Sequence, residues 1–248
     1  MEREDLAMTY CVGLKLNAGL VLLSDTRTNA GLDNISCYRK MFFFGNRDER
    51  VITIMTAGSL SVTQTTIARL EEAIEDDLAD ETTSILKAPT MLRVATIIGD
   101  TLSRTRRDIA DQFRDLKQQA SASMIVGGQR RGGDMRLFLI YPEGNFIEAT
   151  EDTPFLQIGE HKYGKPILDR VVTPATSLAD AQKAVLLSMD STLRSNLSVG
   201  MPLDLAVIER DACRVTARRR ILDGDPDFAR MSAAWSAALR DSFVKVTI

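Results

Sequence analysis

Thr9, Asp25 and Lys40 are the residues of this 248-residue chain whose types and spacing could combine into one reaction centre. A threonine hydroxyl is a poor nucleophile until a base takes its proton. Were Thr9 the first residue of the mature chain, one amino acid would supply both the attacking hydroxyl and a free amine to deprotonate it. An unperturbed α-amine titrates near ~7.7–8.0 and a lysine near ~10.4, so at neutral pH roughly a tenth of the amine is already neutral, against under about a thousandth of the lysine. The amine is the better base. Lys40 is better used as a fixed cation, which within ~4–6 Å lowers the amine's pKa and steadies negative charge developing on the hydroxyl oxygen. A buried ammonium needs a counter-charge, and Asp25, at the end of the strand after that of Thr9, is placed to give it. Each residue alone has a plain structural reading: Thr9 as a strand residue, Asp25 with Arg27 as a turn that holds a hairpin, Lys40 as guard of a sheet edge. The chemistry rests on their joint occurrence.

The elements that must position these groups follow from periodicity. Apolar runs bounded by Gly, Asn or Asp predict strands at Thr9–Leu16, Leu20–Ser24, Lys40–Phe44 and Val51–Ala57. Apolar residues three and four apart then predict two long helices, Ser59 to Leu78 and Met91 to Leu116. Sheet resumes at Ser123–Val126, Leu137–Tyr141 and Phe146–Ala149, with a turn at Pro142-Glu143-Gly144-Asn145. A second helix pair, Tyr163–Val172 and Leu178–Ser195, precedes strands at Leu203–Glu209 and Arg214–Arg219. This order suits two stacked sheets covered on both outer faces by helices, although periodicity alone does not choose that arrangement over other α+β folds. After Asp225-Pro226, the residues Phe228, Met231, Trp235, Leu239 and Phe243 fall on one face of a predicted helix. That stripe must be covered, either by a neighbouring subunit or by the chain's own domain.

Residues 9–31, TYCVGLKLNAGLVLLSDTRTNAG, resemble the opening of proteasome-type catalytic subunits, where a threonine strand, a short turn and a second strand end in an Asp-x-Arg turn. The lysine before an apolar strand, Arg39-Lys40-Met41-Phe42, matches as well, and the segments MTYCVGLKL, SDTRTNAG and YRK look most like the bacterial Anbu group of that family. The resemblance implies an α+β fold, the four-layer αββα sandwich of the N-terminal nucleophile hydrolases, with a C-terminal helical extension. It divides the chain into a short segment 1–8 that is absent from the mature protein, a hydrolase domain 9–222 and an extension 223–248. It gives Thr9, Asp25 and Lys40 the catalytic roles reasoned above, with Arg27 in support. Thr56-Ala57-Gly58-Ser59 resembles the place where a glycine ends a strand and opens the first long helix, so the Gly58 amide becomes the oxyanion donor. A glycine needed only for the strand-to-helix turn reads the same. In Ile158-Gly159-Glu160-His161 the family's supporting serine is replaced by Glu160 or His161, and a carboxylate there would raise the amine's pKa. Ser198 matches a second supporting serine, while the aspartate that accompanies it has no clear match, Asn196 or Ser195 standing nearby.

Composition sets the limits. With 44% hydrophobic residues and a formal net charge of −3 the chain can bury one substantial core and carries no global field for nucleic acid. Its basic clusters, Arg104-Thr105-Arg106-Arg107, Gln129-Arg130-Arg131 and Arg218-Arg219-Arg220, read as solvated faces or subunit contacts. Three cysteines, Cys11, Cys37 and Cys213, show no paired spacing, and no apolar run reaches membrane-spanning length, so a cytoplasmic protein without membrane partners is expected. The opening MEREDLA is too short and acidic for a signal peptide. Gly127-Gly128 and Gly132-Gly133 lack the context of a phosphate cradle, and no metal or cofactor is expected. His161 is the only histidine, which leaves Cys11 or Cys37 with His161 as the sole histidine-based alternative. The reading is therefore a self-assembling threonine amidohydrolase that acts on peptide or related amide bonds, assembled as a ring-like or helical homo-oligomer. A regulatory ATPase stays open as a partner. The alternatives are a catalytically silent scaffold subunit, for whose extra N-terminal helix MEREDLAM leaves little room, and a small-molecule amidase on the same fold.

Overall fold

The computed structural model describes residues 9–29, 35–112 and 121–247. The segment 1–8 and the expected end of the second long helix at Leu116 lie outside them. In chain order the elements are β1 (Tyr10–Leu16), β2 (Gly19–Asp25), β3 (Arg27–Asn29), β4 (Ile35–Cys37), β5 (Met41–Asn46), β6 (Arg50–Gly58), α1 (Leu60–Glu75) and α2 (Met91–Gln112). There follow β7 (Ala122–Arg130), β8 (Arg136–Ile140), β9 (Phe146–Glu148), β10 (Phe155–Gly159), α3 (Lys165–Val171), α4 (Leu178–Ser195), β11 (Leu203–Glu209), β12 (Ala217–Ile221) and α5 (Pro226–Lys245).

Two antiparallel five-stranded sheets stack on each other, one ordered β10-β1-β2-β11-β12 and the other β5-β6-β7-β8-β9. The near-continuous apolar strands are explained by this stacking, because both faces of each sheet are covered. Along β1 and β2, Tyr10, Val12, Leu14, Val21 and Leu23 face outward and meet Leu168 of α3 and Val185 and Met189 of α4. Between them Cys11, Leu20 and Leu22 face inward, against Met55, Ile125 and Leu137 of the other sheet. The outer face of that second sheet carries Ile52, Ile54, Met124 and Phe138, and α1 and α2 cover it with Val62, Leu70, Val94 and Ile98. At ~1.5–3 kcal/mol for each fully buried large aliphatic or aromatic side chain, these three layers supply the dominant favourable term of folding. The four-layer αββα sandwich is thereby the α+β architecture of the N-terminal nucleophile hydrolases.

Helix ends are set by local chemistry. Ser177 caps α4 by accepting the Asp180 N–H at 3.1 Å. Asp225 caps α5 by accepting the N–H groups of Asp227 and Phe228, both at 3.0 Å, with Pro226 in the first turn.

Four departures from the sequence expectation have physical reasons. Strand β7 runs through Gly127-Gly128 instead of ending there, because the glycines are demanded by packing. A Cβ on Gly127 would sit 3.0 Å from both Leu20 and Leu137, and one on Gly128 would meet the Val51 carbonyl at 2.1 Å. Strand β12 covers Ala217–Ile221 and not Arg214–Arg219, since Thr216 is occupied in closing the turn onto the Val207 carbonyl. It is an edge strand whose only buried residue is Ile221, so no apolar alternation announces it. The short β3 and β4 pair only with each other, and β10 is five residues of mixed character, so none of the three stood out in the sequence. The α5 stripe is covered over half its length. Phe228 packs on the outer core, and Ser232 donates to Asp190 at 2.7 Å while accepting from Arg194 at 2.7 Å, which docks the first half of α5 on α4. Leu239 and Phe243 stay 51% and 81% exposed.

Candidate active site

Strands β1 and β2 form a hairpin whose open end places Thr9 beside Asp25. The main-chain N–H of Tyr10 donates to Asp25 Oδ1 at 3.1 Å, so the aspartate is bound to the residue that follows the threonine. Lys40 immediately precedes β5, where its carbonyl accepts the Thr56 N–H at 2.9 Å and extends the β5–β6 pairing by one residue. From there its ammonium donates to Thr9 Oγ1 at 2.7 Å, to Asp25 Oδ1 at 2.9 Å and to the Arg27 carbonyl at 2.6 Å. Thr9, Asp25 and Lys40 are 5%, 0% and 6% exposed, so this contact lies in a low-dielectric setting where charge acts strongly. An ammonium only donates, so Thr9 Oγ1 accepts and its own proton is left for another base.

Electrostatics at the centre are set by burial and by the ion pair. Burial drives the Asp25 carboxyl up from its ordinary value, and the Lys40 ammonium and the N–H groups of Tyr10 and Gly200 work against that rise. The Gly200 amide reaches Asp25 Oδ2 at 3.4 Å, which ties the loop after α4 to the pair. Arg27 donates to the Leu197 carbonyl at 3.1 Å, and its guanidinium lies so close to Gly200 that a Cβ there would come within 2.1 Å of Nε. Arg27 thus holds the same loop from the other side.

The other expected residues are placed as follows. Gly58 ends β6 at φ +104°, and a Cβ on it would meet the Ser121 carbonyl at 2.4 Å, so strand pairing alone demands a glycine there. Glu160 donates its main-chain N–H to the Thr9 carbonyl at 2.8 Å. Ser198 does not reach the centre: its hydroxyl and its N–H both bond Asn196 Oδ1, at 2.6 and 2.9 Å, and among the described residues neither side chain is bonded to Thr9. The turn forms because the asparagine amide folds back onto the chain two residues on.

Sequence reasoning missed the Gly200 contact with Asp25 and also the surroundings of Tyr10. The Tyr10 hydroxyl lies 2.6 Å from Ser188 Oγ on α4 and accepts from Gln157 of β10 at 2.5 Å. Gly164 passes so close that a Cβ would stand 2.1 Å from Ser188 Oγ and 2.7 Å from Tyr10 Oη. The residue after Thr9 is thereby pinned to two other elements.

The cysteine–histidine alternative has no geometry to support it. Cys11 is fully buried and its thiol donates toward the Thr56 carbonyl at 3.7 Å. Burial, with Asp25 adding to it, pushes that thiol far above its ordinary value, the opposite of what a nucleophile needs. Cys37 is exposed, and His161 is exposed with Nδ1 3.0 Å from the Gly159 carbonyl.

The family model described as "Proteasome subunit" matches residues 8–208. The chain belongs to the proteasome subunit family. Within it the chain is similar to Anbu proteins of known structure: the Gly-1 mutant of Anbu from Hyphomicrobium sp. strain MC1 is 50% identical, with 97% of this chain and 98% of that one covered and a TM-score of 0.90. Anbu (ancestral beta-subunit) from Yersinia bercovieri is 40% identical over 97% and 99% of the two chains, TM-score 0.89. A structure described as the helical assembly of the Anbu complex from Pseudomonas aeruginosa is 45% identical over 97% and 98%, TM-score 0.89. No curated protein matches the chain.

Proposed function

We propose that the protein is a threonine-type N-terminal nucleophile hydrolase acting on peptide or related amide bonds. The observation that carries the reading is the buried contact of Lys40 with both Thr9 Oγ1 and Asp25, at 2.7 and 2.9 Å. Once the bond between Met8 and Thr9 is absent, either because translation begins at Met8 and that methionine is removed or because the chain cleaves itself there, Thr9 carries a free amine. The amine takes the proton of the Thr9 hydroxyl, and Oγ1 attacks the substrate carbonyl while Lys40 steadies the developing negative charge. The Gly58 amide is the proposed donor to the resulting oxyanion. The ammonium returns its proton to the leaving nitrogen, the C–N bond breaks, and a threonyl ester remains. Water, deprotonated by the same amine, then hydrolyses that ester and regenerates the hydroxyl.

Intact mass and N-terminal sequencing of natively expressed protein test the first requirement. Thr9 is expected as residue one. A chain still beginning at Met1 or Glu2 would lack its base and should be inert, and finding activity in that form would end the proposal.

The reading includes self-association in a reducing, cytoplasmic setting, since the Pseudomonas aeruginosa relative is described as a helical assembly and this chain leaves the second half of α5 with an uncovered apolar face. No helix among the described residues is long and apolar enough to cross a membrane. Because Ser232 anchors the first half of α5 to Asp190, truncating the helix would damage the subunit, and point changes are the cleaner probe. Leu239→Glu with Phe243→Glu is expected to reduce the mass seen by light scattering while circular dichroism stays unchanged. An assembly of undiminished mass would remove α5 from the interface.

A further inference from the structure

Thr9 and Glu160 stand opposite each other at the open end of the sandwich. The register of β1 and β10 pairs Tyr10 with Gly159, and the Glu160 N–H bond to the Thr9 carbonyl, 2.8 Å, extends it by one residue. Directly opposed residues on neighbouring strands bring their Cβ atoms to about 5 Å. The approach is fixed by Gly159, at φ +80°, where a Cβ would fall 1.9 Å from the Thr9 carbonyl oxygen. Glu160 is only 9% exposed, and among the described residues its carboxylate has no hydrogen bond or ion pair. Its oxygens are not among the buried, unpartnered polar atoms of the described residues, so the carboxylate keeps contact with solvent while the rest of the residue is packed beside Thr9.

The charged groups around Thr9 decide what partner that carboxylate has. From β2 comes Asp25 and from the start of β5 comes Lys40, but these two neutralise each other at 2.9 Å. In the loop after α4, Asn196 and Ser198 are neutral and bonded to each other, and Arg27 is engaged with the Leu197 carbonyl. The β6–α1 junction at Gly58 and Ser59 carries no charge, and His161 is exposed and turned to the Gly159 carbonyl. Among the described residues named here, Glu160 is therefore the charge beside the main chain of Thr9 that no opposite charge engages. We infer that Glu160 is the counter-ion of the mature Thr9 ammonium and holds the enzyme partly latent at neutral pH. The inference rests on the reading of Thr9 as an N-terminal nucleophile. An adjacent carboxylate favours the charged amine, so less free base is present at pH 7 and the rate climbs as pH rises through the elevated amine pKa.

The test compares wild type with Glu160→Gln, and with Glu160→Asp as the charge-retaining variant, on protein whose N-terminus is confirmed as Thr9. The pH dependence of covalent labelling by an N-terminal-threonine electrophile is expected to show a rising limb above pH ~8 in wild type, past the ordinary amine range. In Glu160→Gln that limb should move down by about one to two units, making the variant some tenfold faster than wild type at pH 7, while Glu160→Asp keeps the alkaline limb. A merely structural role would slow the Gln variant at every pH. NMR titration of the reductively ¹³C-methylated amine reads the same shift without catalysis. An amine pKa equal in wild type and Glu160→Gln overturns this inference alone, whereas absent labelling at all pH values with a displaced amine pKa overturns the catalytic reading and leaves the ion pair standing.

Discussion

Thr9→Ala is expected to leave the fold intact and to abolish both turnover and covalent labelling by electrophiles that trap N-terminal threonines. The loss in rate should be at least ~10³-fold, because the variant lacks the only atom proposed to form the acyl bond. The structural cost is small: only a hydroxyl and a methyl group are lost, and the Lys40 ammonium, deprived of Thr9 Oγ1, keeps Asp25 and the Arg27 carbonyl as acceptors. A melting temperature within about 4 °C of wild type would bear that out, since a change of about 1 kcal/mol moves a domain of this size by roughly that much. Cys11→Ala provides the contrast. Cys11 lies on the inner face of β1, fully buried, with its thiol driven up by that burial, so removing its sulfur should leave labelling unchanged. Labelling that survives in Thr9→Ala and disappears in Cys11→Ala would move the nucleophile to the cysteine and sink the present assignment.

How far the sequence led depended on whether the relevant contact is local in the chain or made by distant elements. Thr9 and Asp25 come from one hairpin and Lys40 from the start of β5, past the short β3–β4 pair, so their order was visible as spacing, and the structure brings all three together. The layers were legible for a similar reason. Runs such as Gly19–Asp25 and Arg50–Gly58 are apolar on both faces, which only a doubly covered sheet requires. By contrast the Tyr10–Ser188 contact joins residues 178 positions apart, and nothing in either neighbourhood distinguishes a bonded tyrosine from an ordinary strand aromatic. The same holds for Gly200, whose amide reaches Asp25 from 175 positions away. A serine in a polar loop also carries no sign of which neighbour it will bond, and Ser198 chose Asn196. Glycine was the most misleading letter. Gly127 and Gly128 read as punctuation, yet they lie within β7 because neighbouring side chains and backbone leave no room for a Cβ. In α5 the apolar stripe was plain, but the anchor that decides which half is docked is polar: Ser232 between Asp190 and Arg194.

Replacing Lys40 should cost both activity and stability, and the two losses separate by pH. Lys40→Met keeps much of the side-chain volume but removes the charge that meets Thr9 Oγ1, and a rate loss of about 10²–10³-fold or more is expected from the missing stabilisation of developing negative charge. Asp25→Asn should act largely through the same lysine, because its carboxylate contacts Lys40 and two main-chain N–H groups and not the threonine hydroxyl. The double variant should then be little slower than the worse single one, and losses that multiply would show the two residues working independently. Stability follows a different rule. Without Lys40, Asp25 is a fully buried carboxylate that has lost its cation, a situation costing about 3–5 kcal/mol near neutral pH. Burial already pushes the Asp25 carboxyl upward, and the ammonium is the first of the influences opposing it, so in Lys40→Met the folded-state value rises further. An acid whose pKa is higher folded than unfolded binds its proton more tightly in the native state, which favours folding below the unfolded value of about 3.9 and loses that advantage as pH climbs through the folded value. The destabilisation of Lys40→Met relative to wild type, measured by chemical denaturation, should therefore shrink as pH is lowered from 7 toward 5. In Lys40→Met/Asp25→Asn, which has no carboxylate to protonate there, the difference from wild type should show no such recovery. A Lys40→Met deficit that stays constant with pH would mean that Asp25 is not left as an unpaired buried charge and that the lysine is not its essential partner.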